Sequence, residues 1–184
     1  MARIHILGAS GSGTTTLGAA LAGSLGVPHF DTDAFFWVPT DPPFTTQRPV
    51  AERLGMLKGR LSALPGWILS GSATGWGDPL VPLYDLIVFL TLDPALRMER
   101  LRRREEARYA GRIAQGGDMA EGSAAFLAWA AAYDTAGSEQ RSRVGQERWL
   151  AAQAVPVLRL DSSAPVAELL SAVVARLPEE GRTA

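Results

Sequence analysis

Arg3-Ile4-His5-Ile6-Leu7 is a short apolar run stopped at once by Gly8, the form of a buried strand. Thr14 to Leu25 follows, rich in Ala and Leu, with Leu17, Leu21 and Leu25 spaced by four. That spacing puts them on one face of a helix, which Gly26 and Pro28 end. His29-Phe30-Asp31 fits a second short strand. Residues 38–47 carry Pro39, Pro42 and Pro43 and read as a loop. Pro49 suits a first helical position. Val50, Leu54, Leu57, Leu61 and Leu64 then give the clearest amphipathic helix of the chain, closed by Pro65-Gly66. Trp67-Ile68-Leu69 predicts a third strand, and residues 70–82 a glycine-rich loop. Leu86 to Leu92 is unbroken apolar sequence, as in a central parallel strand covered on both faces.

Asp93-Pro94 can cap a helix running to about Arg104, with Asp93 at N-cap and Pro94 at N1. Gly111, Gly116, Gly117 and Gly122 break up the next stretch, which reads as mobile. Ala124 to Tyr133 is helical, with a less regular continuation to Trp149. Pro156 to Leu160 is a last strand. Val166, Leu169, Leu170, Val173, Val174 and Leu177 line a last helix. Strand and helix alternate, which argues an α/β fold on a mostly parallel sheet.

The 184 residues suit one domain with a small lid, and 47% are hydrophobic, as in ordinary globular chains. The expected organisation is a single domain over 1–178, a lid near 105–123 and a frayed tail over 179–184. A formal net charge of -1 offers no broad attraction to a polyanion, so nucleic acid is not an expected partner. Without cysteine there are no disulfides, thiolate metal sites or thiol catalysis, and two histidines are too few for a histidine-rich metal site. No apolar run has the length of a membrane span, and the first residues lack a signal-peptide pattern. A cytoplasmic protein, monomer or homodimer, is expected.

Between the first strand and first helix lies Gly8-Ala9-Ser10-Gly11-Ser12-Gly13-Thr14-Thr15. This has the strand–loop–helix context and glycine spacing of the phosphate-binding pattern G-x-x-x-x-G-K-[ST]. Gly8, Ser10, Gly11, Ser12, Gly13, Thr14, Thr15 and Thr16 are therefore the candidate nucleotide-binding residues. The helix start contributes its positive dipole end. Thr15 stands where a hydroxyl binds Mg²⁺. Thr14 stands where the pattern has a lysine that reaches the β- and γ-phosphates. A degenerate loop that binds nucleotide without transfer is the competing reading.

With this loop the chain resembles the nucleoside-monophosphate-kinase-like P-loop kinases, among them adenylate kinase, shikimate kinase and gluconate kinase. It looks most like the small bacterial adenylate kinase-related P-loop ATPases whose loop reads GASGSGTTTLG, here Gly8 to Gly18. It shares with them Asp31-Thr32-Asp33, the aromatics Phe35-Phe36-Trp37 and the segment Thr40 to Phe44. The resemblance implies a five-stranded parallel sheet in the order 2-3-1-4-5, flanked by helices, with a small helical lid. It implies ATP and Mg²⁺ as cofactors and a small-molecule hydroxyl or phosphate as acceptor. The site would sit at the C-terminal ends of the strands, as is usual for open α/β sheets.

Asp31 and Asp33 are alternate residues at a strand end, so they point the same way. One suits Mg²⁺ or its water, Asp31, and one suits the acceptor's proton, Asp33. Capping of the following helix is the plainer alternative for either. Ser70, Gly71 and Ser72 end the third strand, where family members place a turn against the acceptor. Arg97, Arg100, Arg104 and Arg108 share a helix face. Of these, Arg100 and Arg104 are the expected catalytic cations, the alternative being a solvated basic face. Arg48 and Arg53 are candidates to clamp an anionic substrate. Trp37 lies in a loop beside the presumed acceptor. The expected function is an ATP-dependent small-molecule kinase; the alternative is a nucleotide-binding regulator or slow NTPase without an acceptor.

Overall fold

A computed structural model describes residues 1–178; the expected frayed tail, 179–184, lies outside the described residues. The chain divides into two compact units. The first holds residues 1–8, 13–91 and the segment from Gln153 onward; the second holds 9–12 and 92–152.

The first unit contains a sheet of β1 (Arg3–Gly8), β2 (His29–Asp31), β3 (Trp67–Ser70), β4 (Leu86–Thr91) and β5 (Val157–Asp161). All neighbours pair in parallel, in the order β2-β3-β1-β4-β5, as the resemblance implies. The register sets Ile4 beside both Ile68 and Leu86, so one row of side chains crosses the central strands. Ile4, Ile6, Ile68, Val88 and Leu90 form one core with Leu17 and Leu21 of α1 (Thr14–Leu25) and Leu169 and Val173 of α7 (Val166–Val174). Alternation sends His5, Trp67, Leu69, Ile87 and Phe89 to the other face, and all five are fully buried. The four-residue helix α2 (Asp33–Phe36) and the helix α3 (Val50–Ser62) complete this unit, α3 burying Leu57 and Leu61. Pro49 sits at the N-cap of α3, one residue earlier than its expected N1 place.

The second unit is helical: α4 (Pro94–Tyr109), α5 (Ala120–Ala131) and α6 (Arg143–Ala151), with a 3₁₀ turn over Ala110–Ile113. Asp93 caps α4, accepting from the backbone N–H groups of Ala95 and Leu96 at 2.9 and 3.1 Å, with Pro94 at the first position. The helix runs to Tyr109 rather than Arg104 because Leu101, Glu105 and Tyr109 continue its buried face at a spacing of four. Buried Glu105 is satisfied by the Ser123 hydroxyl at 2.9 Å. Met98, Leu101 and Ala130 form the small core, with Phe126 and Trp129 against it. Residues 105–123 lie in this unit. No helix among the described residues is long and apolar enough to cross a membrane.

His5 carries a measurable consequence. Its Nδ1 lies 3.2 Å from the Leu69 carbonyl oxygen, and its ring stacks on Tyr84 with centroids 4.9 Å apart. The carbonyl can only accept, so Nδ1 carries the proton and donates. Burial pushes the His5 pKa down to about 4 from its ordinary 6.5. Above pH 6.5 the ring is neutral in both folded and unfolded chains, and its contribution is fully present. As pH falls from 6.5 towards 4 the unfolded chain takes up a proton that the native one refuses, and about 3 kcal/mol of stability is lost. Urea unfolding of the wild type and His5→Phe across this window should show a shallower pH slope in the variant; equal slopes would remove His5 as the cause.

Candidate functional site

The phosphate loop leaves β1 at Gly8, whose strand partner in β4 is Leu90, and turns through a bond from the Ser12 N–H to the Ala9 carbonyl at 3.1 Å. Gly13 sits at φ +88°, where a side chain would be strained, and forms the N-cap of α1. No side chain caps that helix and its first turn has no acidic residue. Its first N–H groups thus have no side-chain cap, and the dipole there favours an anion. Thr14 is half-buried, while Thr15 and Thr16 are exposed.

The Thr15 hydroxyl donates to Asp31 Oδ2 at 2.7 Å, joining the loop's metal-position threonine to the end of β2. The same carboxylate oxygen accepts from Ser70 at the end of β3, at 3.3 Å, and Asp31 Oδ1 accepts the backbone N–H of Asp33 at 3.0 Å. Asp31 therefore both faces the loop and fixes the entry to α2. Since Ser70 gives its proton to Asp31, its oxygen accepts from His29 Nε2–H at 2.9 Å. A chain His29–Ser70–Asp31–Thr15 results. Burial pushes the His29 pKa down and so favours the neutral ring, against the opposing pull of Asp31, which raises it. His29 is held close to α1: a methyl on Gly18 would lie 2.5 Å from its Nε2. Asp33 is exposed as the first residue of α2.

Thr15 and Asp31 supply hard oxygen donors of the kind Mg²⁺ takes together with phosphates. No group of three or more acidic or histidine side chains that could hold a metal occurs among the described residues, so a magnesium ion here would depend on the nucleotide for its remaining ligands.

The residues expected against an acceptor divide. Gly71, at φ +98°, lets the chain pass Thr32, whose Oγ1 would be 2.0 Å from any Cβ there. The Ser72 carbonyl accepts the Trp76 indole N–H at 3.2 Å. Trp37 packs edge-on against Phe36 and Phe44, with centroids at 4.9 and 5.9 Å. Arg48, expected as an anion clamp, is engaged by the protein. It donates to the carbonyls of Phe35 and Trp37 at 3.1 and 3.4 Å and pairs with Glu52 at 2.7 Å. It holds the end of α2 in place. Arg53 is different: it is buried, its guanidinium 4.1 Å from the Phe36 ring centroid and 4.9 Å from that of Trp76.

In the second unit, Arg100 and Arg104 are exposed on α4, Arg104 resting over Phe126 at 5.6 Å. The arginines at the loop residues are two others. Arg97 donates through Nη1 to the Ser10 carbonyl at 3.4 Å and the Ala130 carbonyl at 2.9 Å, and pairs through Nη2 with Asp134 at 3.0 Å. Arg141 donates to the Ser10 hydroxyl and lies over the Trp129 ring at 4.7 Å. Sequence reasoning placed Arg97 on this stripe but favoured Arg100 and Arg104, and did not single out Arg141. Only the four-residue offset from the Asp93 cap marks Arg97, and the polar stretch around Arg141 carries no periodicity.

The chain matches no protein-family model. Among solved structures it is similar to a gluconokinase from Sinorhizobium meliloti 1021, at 20% identity over 97% of this chain and 94% of that one, with a TM-score of 0.53. It is similar also to the shikimate kinase of Bacteroides thetaiotaomicron, at 21% identity over 95% and 97% of the two chains, with a TM-score of 0.54. These likenesses show a shared fold, that of P-loop kinases. In sequence it is 46% identical over 171 residues to the uncharacterized protein YqaC of Bacillus subtilis (strain 168), covering 93% of this chain and 94% of that protein. With nearly half of its residues shared along almost the whole length of both chains, the protein belongs to the YqaC family, built on the fold of gluconokinase and shikimate kinase.

Proposed function

We propose that the protein is a phosphotransferase of the adenylate kinase-related type, moving the γ-phosphate of ATP to a hydroxyl or phosphate of a small molecule. The observation that carries this reading is the 2.7 Å bond from Thr15 of the loop to Asp31, with Asp33 one turn position on. The loop residues Gly8 and Ser10 to Thr16 hold the phosphates. Mg²⁺ would be held by Thr15 and Asp31 and would neutralise charge on the β- and γ-phosphates. Asp33 orients the acceptor hydroxyl. It takes the proton as the acceptor oxygen bonds to the γ-phosphorus and the bond from that phosphorus to ADP breaks. In the same reading 105–123 acts as a lid, with Arg100 and Arg104 at its base.

Thr14 in the lysine position favours a second reading, a nucleotide-binding regulator or slow NTPase with no acceptor. Calorimetry with MgATP should give saturable heat in the wild type. Gly13→Asp, which puts a carboxylate against phosphate at a position of positive φ, should give none. Absence of heat from the wild type with any Mg-nucleotide would remove both readings. ADP release followed over a panel of metabolites separates them: acceptor-dependent turnover is required for the first, and a basal rate untouched by every compound supports the second.

A further inference from the structure

His29 and Asp31 are alternate residues of β2, so their side chains leave the sheet on one face. Thr15 and Gly18 are three apart on α1, so they share a helix face. The two pairs meet in order. The Thr15 hydroxyl donates to Asp31, and Gly18 leaves room for the His29 ring, whose Nε2, Cδ2 and Cε1 would lie 2.5, 3.1 and 3.2 Å from a methyl there. In the neighbouring strand Ser70 stands directly opposite Asp31 and diagonal to His29. An aromatic ring is long enough to close that diagonal, and its Nε2 lies 2.9 Å from the Ser70 oxygen.

Ser70 is fully buried and has one proton to give. Asp31 Oδ2 at 3.3 Å and His29 Nε2 at 2.9 Å both lie within reach of it. The nitrogen can take that proton only if the ring carries its own on Nδ1. With the proton on Nε2 the ring donates, the Ser70 oxygen accepts, and the hydroxyl is left to Asp31. The tautomer of His29 therefore decides whether Asp31 has two hydroxyl donors or one. Two hydroxyls on Oδ2, with the Asp33 N–H at 3.0 Å on Oδ1, hold the carboxylate from both sides.

We propose that His29 is a positioning residue for magnesium binding: as the Nε2–H tautomer it turns the Ser70 hydroxyl onto Asp31 and so fixes that carboxylate beside Thr15. This deepens the phosphotransferase reading and rests on it for the metal role of Thr15 and Asp31. It makes that role depend on a residue two steps behind the ligand. Groups that orient a metal ligand ordinarily matter by about tenfold to a hundredfold in metal affinity. What His29 contributes is the N–H it presents to Ser70, with the ring neutral throughout.

The test reads binding, with no acceptor present. ATP is titrated by calorimetry over a series of magnesium concentrations and in EDTA, in alkaline buffer where both histidines are neutral. Magnesium should strengthen ATP binding to the wild type. His29→Leu removes the donor and keeps an apolar side chain on the strand. It should need about tenfold more magnesium for the same gain, with binding in EDTA unchanged. His29→Gln brings an amide N–H towards Ser70 and should recover most of the loss. Ser70→Ala should lose as much as His29→Leu, and the double variant no more than either, because the effect passes through that hydroxyl. Nitrogen–proton NMR of the wild type needs no variant: His29 should be protonated on Nε2 and His5, the other histidine, on Nδ1. An Nδ1-protonated His29, equal magnesium dependence in the wild type and His29→Leu, a His29→Gln no better than His29→Leu, or losses that add in the double variant would each overturn the proposal. Where the wild type binds ATP more tightly with magnesium, any of these sinks the role of His29 alone. A wild type indifferent to magnesium would sink the metal role of Thr15 and Asp31 and that of His29 with it. The expected loss in His29→Leu, found in a protein that phosphorylates no acceptor, would sink the phosphotransferase reading and leave His29 its role.

Discussion

Under the proposed phosphotransferase reading, Arg141→Ala should lower acceptor phosphorylation by about a thousandfold or more, the low side of what a removed arginine finger costs. It should keep most of the rise in melting temperature that ATP gives. Thr14 cannot supply the cation that the loop pattern places over the β- and γ-phosphates. Arg141 donates to the hydroxyl of Ser10, inside that loop, and its guanidinium is steadied against Trp129. In the proposed reaction a guanidinium so placed would stabilise charge that grows as the phosphoryl group transfers, which affects turnover more than binding. Thr14→Lys should recover a substantial part of the loss in the Arg141→Ala background and do little in the wild type. Single-turnover transfer decides the matter. A smaller loss from Arg141→Ala than from Arg100→Ala or Arg104→Ala would return the role to the exposed stripe of α4.

The largest effect on stability is expected at Arg97. Its side chain is 1% exposed and its charge is balanced by Asp134. Arg97→Leu leaves the Ala130 and Ser10 carbonyls without this donor and Asp134 with Arg143 at 3.3 Å as its remaining ion pair. Breaking a buried pair from one side typically costs about 3–5 kcal/mol. Urea unfolding followed by the tryptophans of this unit, Trp129 and Trp149, should show a loss of that order. The double variant Arg97→Leu/Asp134→Leu should recover much of it, because two apolar groups of similar bulk need no partner. A single-variant loss below about 1 kcal/mol would mean that the pair is a surface-like contact despite its burial.

The sheet was readable because its signals are local. Leu86 to Leu92 announces a strand covered on both faces, Asp93-Pro94 announces the helix that follows, and β1 ending in Gly8 announces the loop. Asp31 was readable as a partner of Thr15 for a similar reason: a strand end in an α/β fold comes back to the same edge. The arginines were not readable. The contacts of Arg97 and Arg141 with Ser10 span 87 and 131 residues. Nothing in an exposed-looking stripe such as Arg97, Arg100, Arg104 and Arg108 says which member turns inward; Asp134 and the carbonyl of Ala130 decide that. Arg48 and Arg53 look alike in sequence as well. One meets the carbonyls at the end of a short helix and the other meets two rings, and only packing separates them.

Gly18 bears on how this protein can be engineered. It is an interior helix position, where exchanging glycine for alanine ordinarily strengthens a helix by about 1 kcal/mol. A thermostabilisation campaign guided by propensity would choose it early. Yet the methyl would press on His29, which steadies Ser70, which steadies the carboxylate facing Thr15. The missing methyl keeps Asp31 aligned on Thr15 from a distance, and libraries scored on heat resistance alone would erase it.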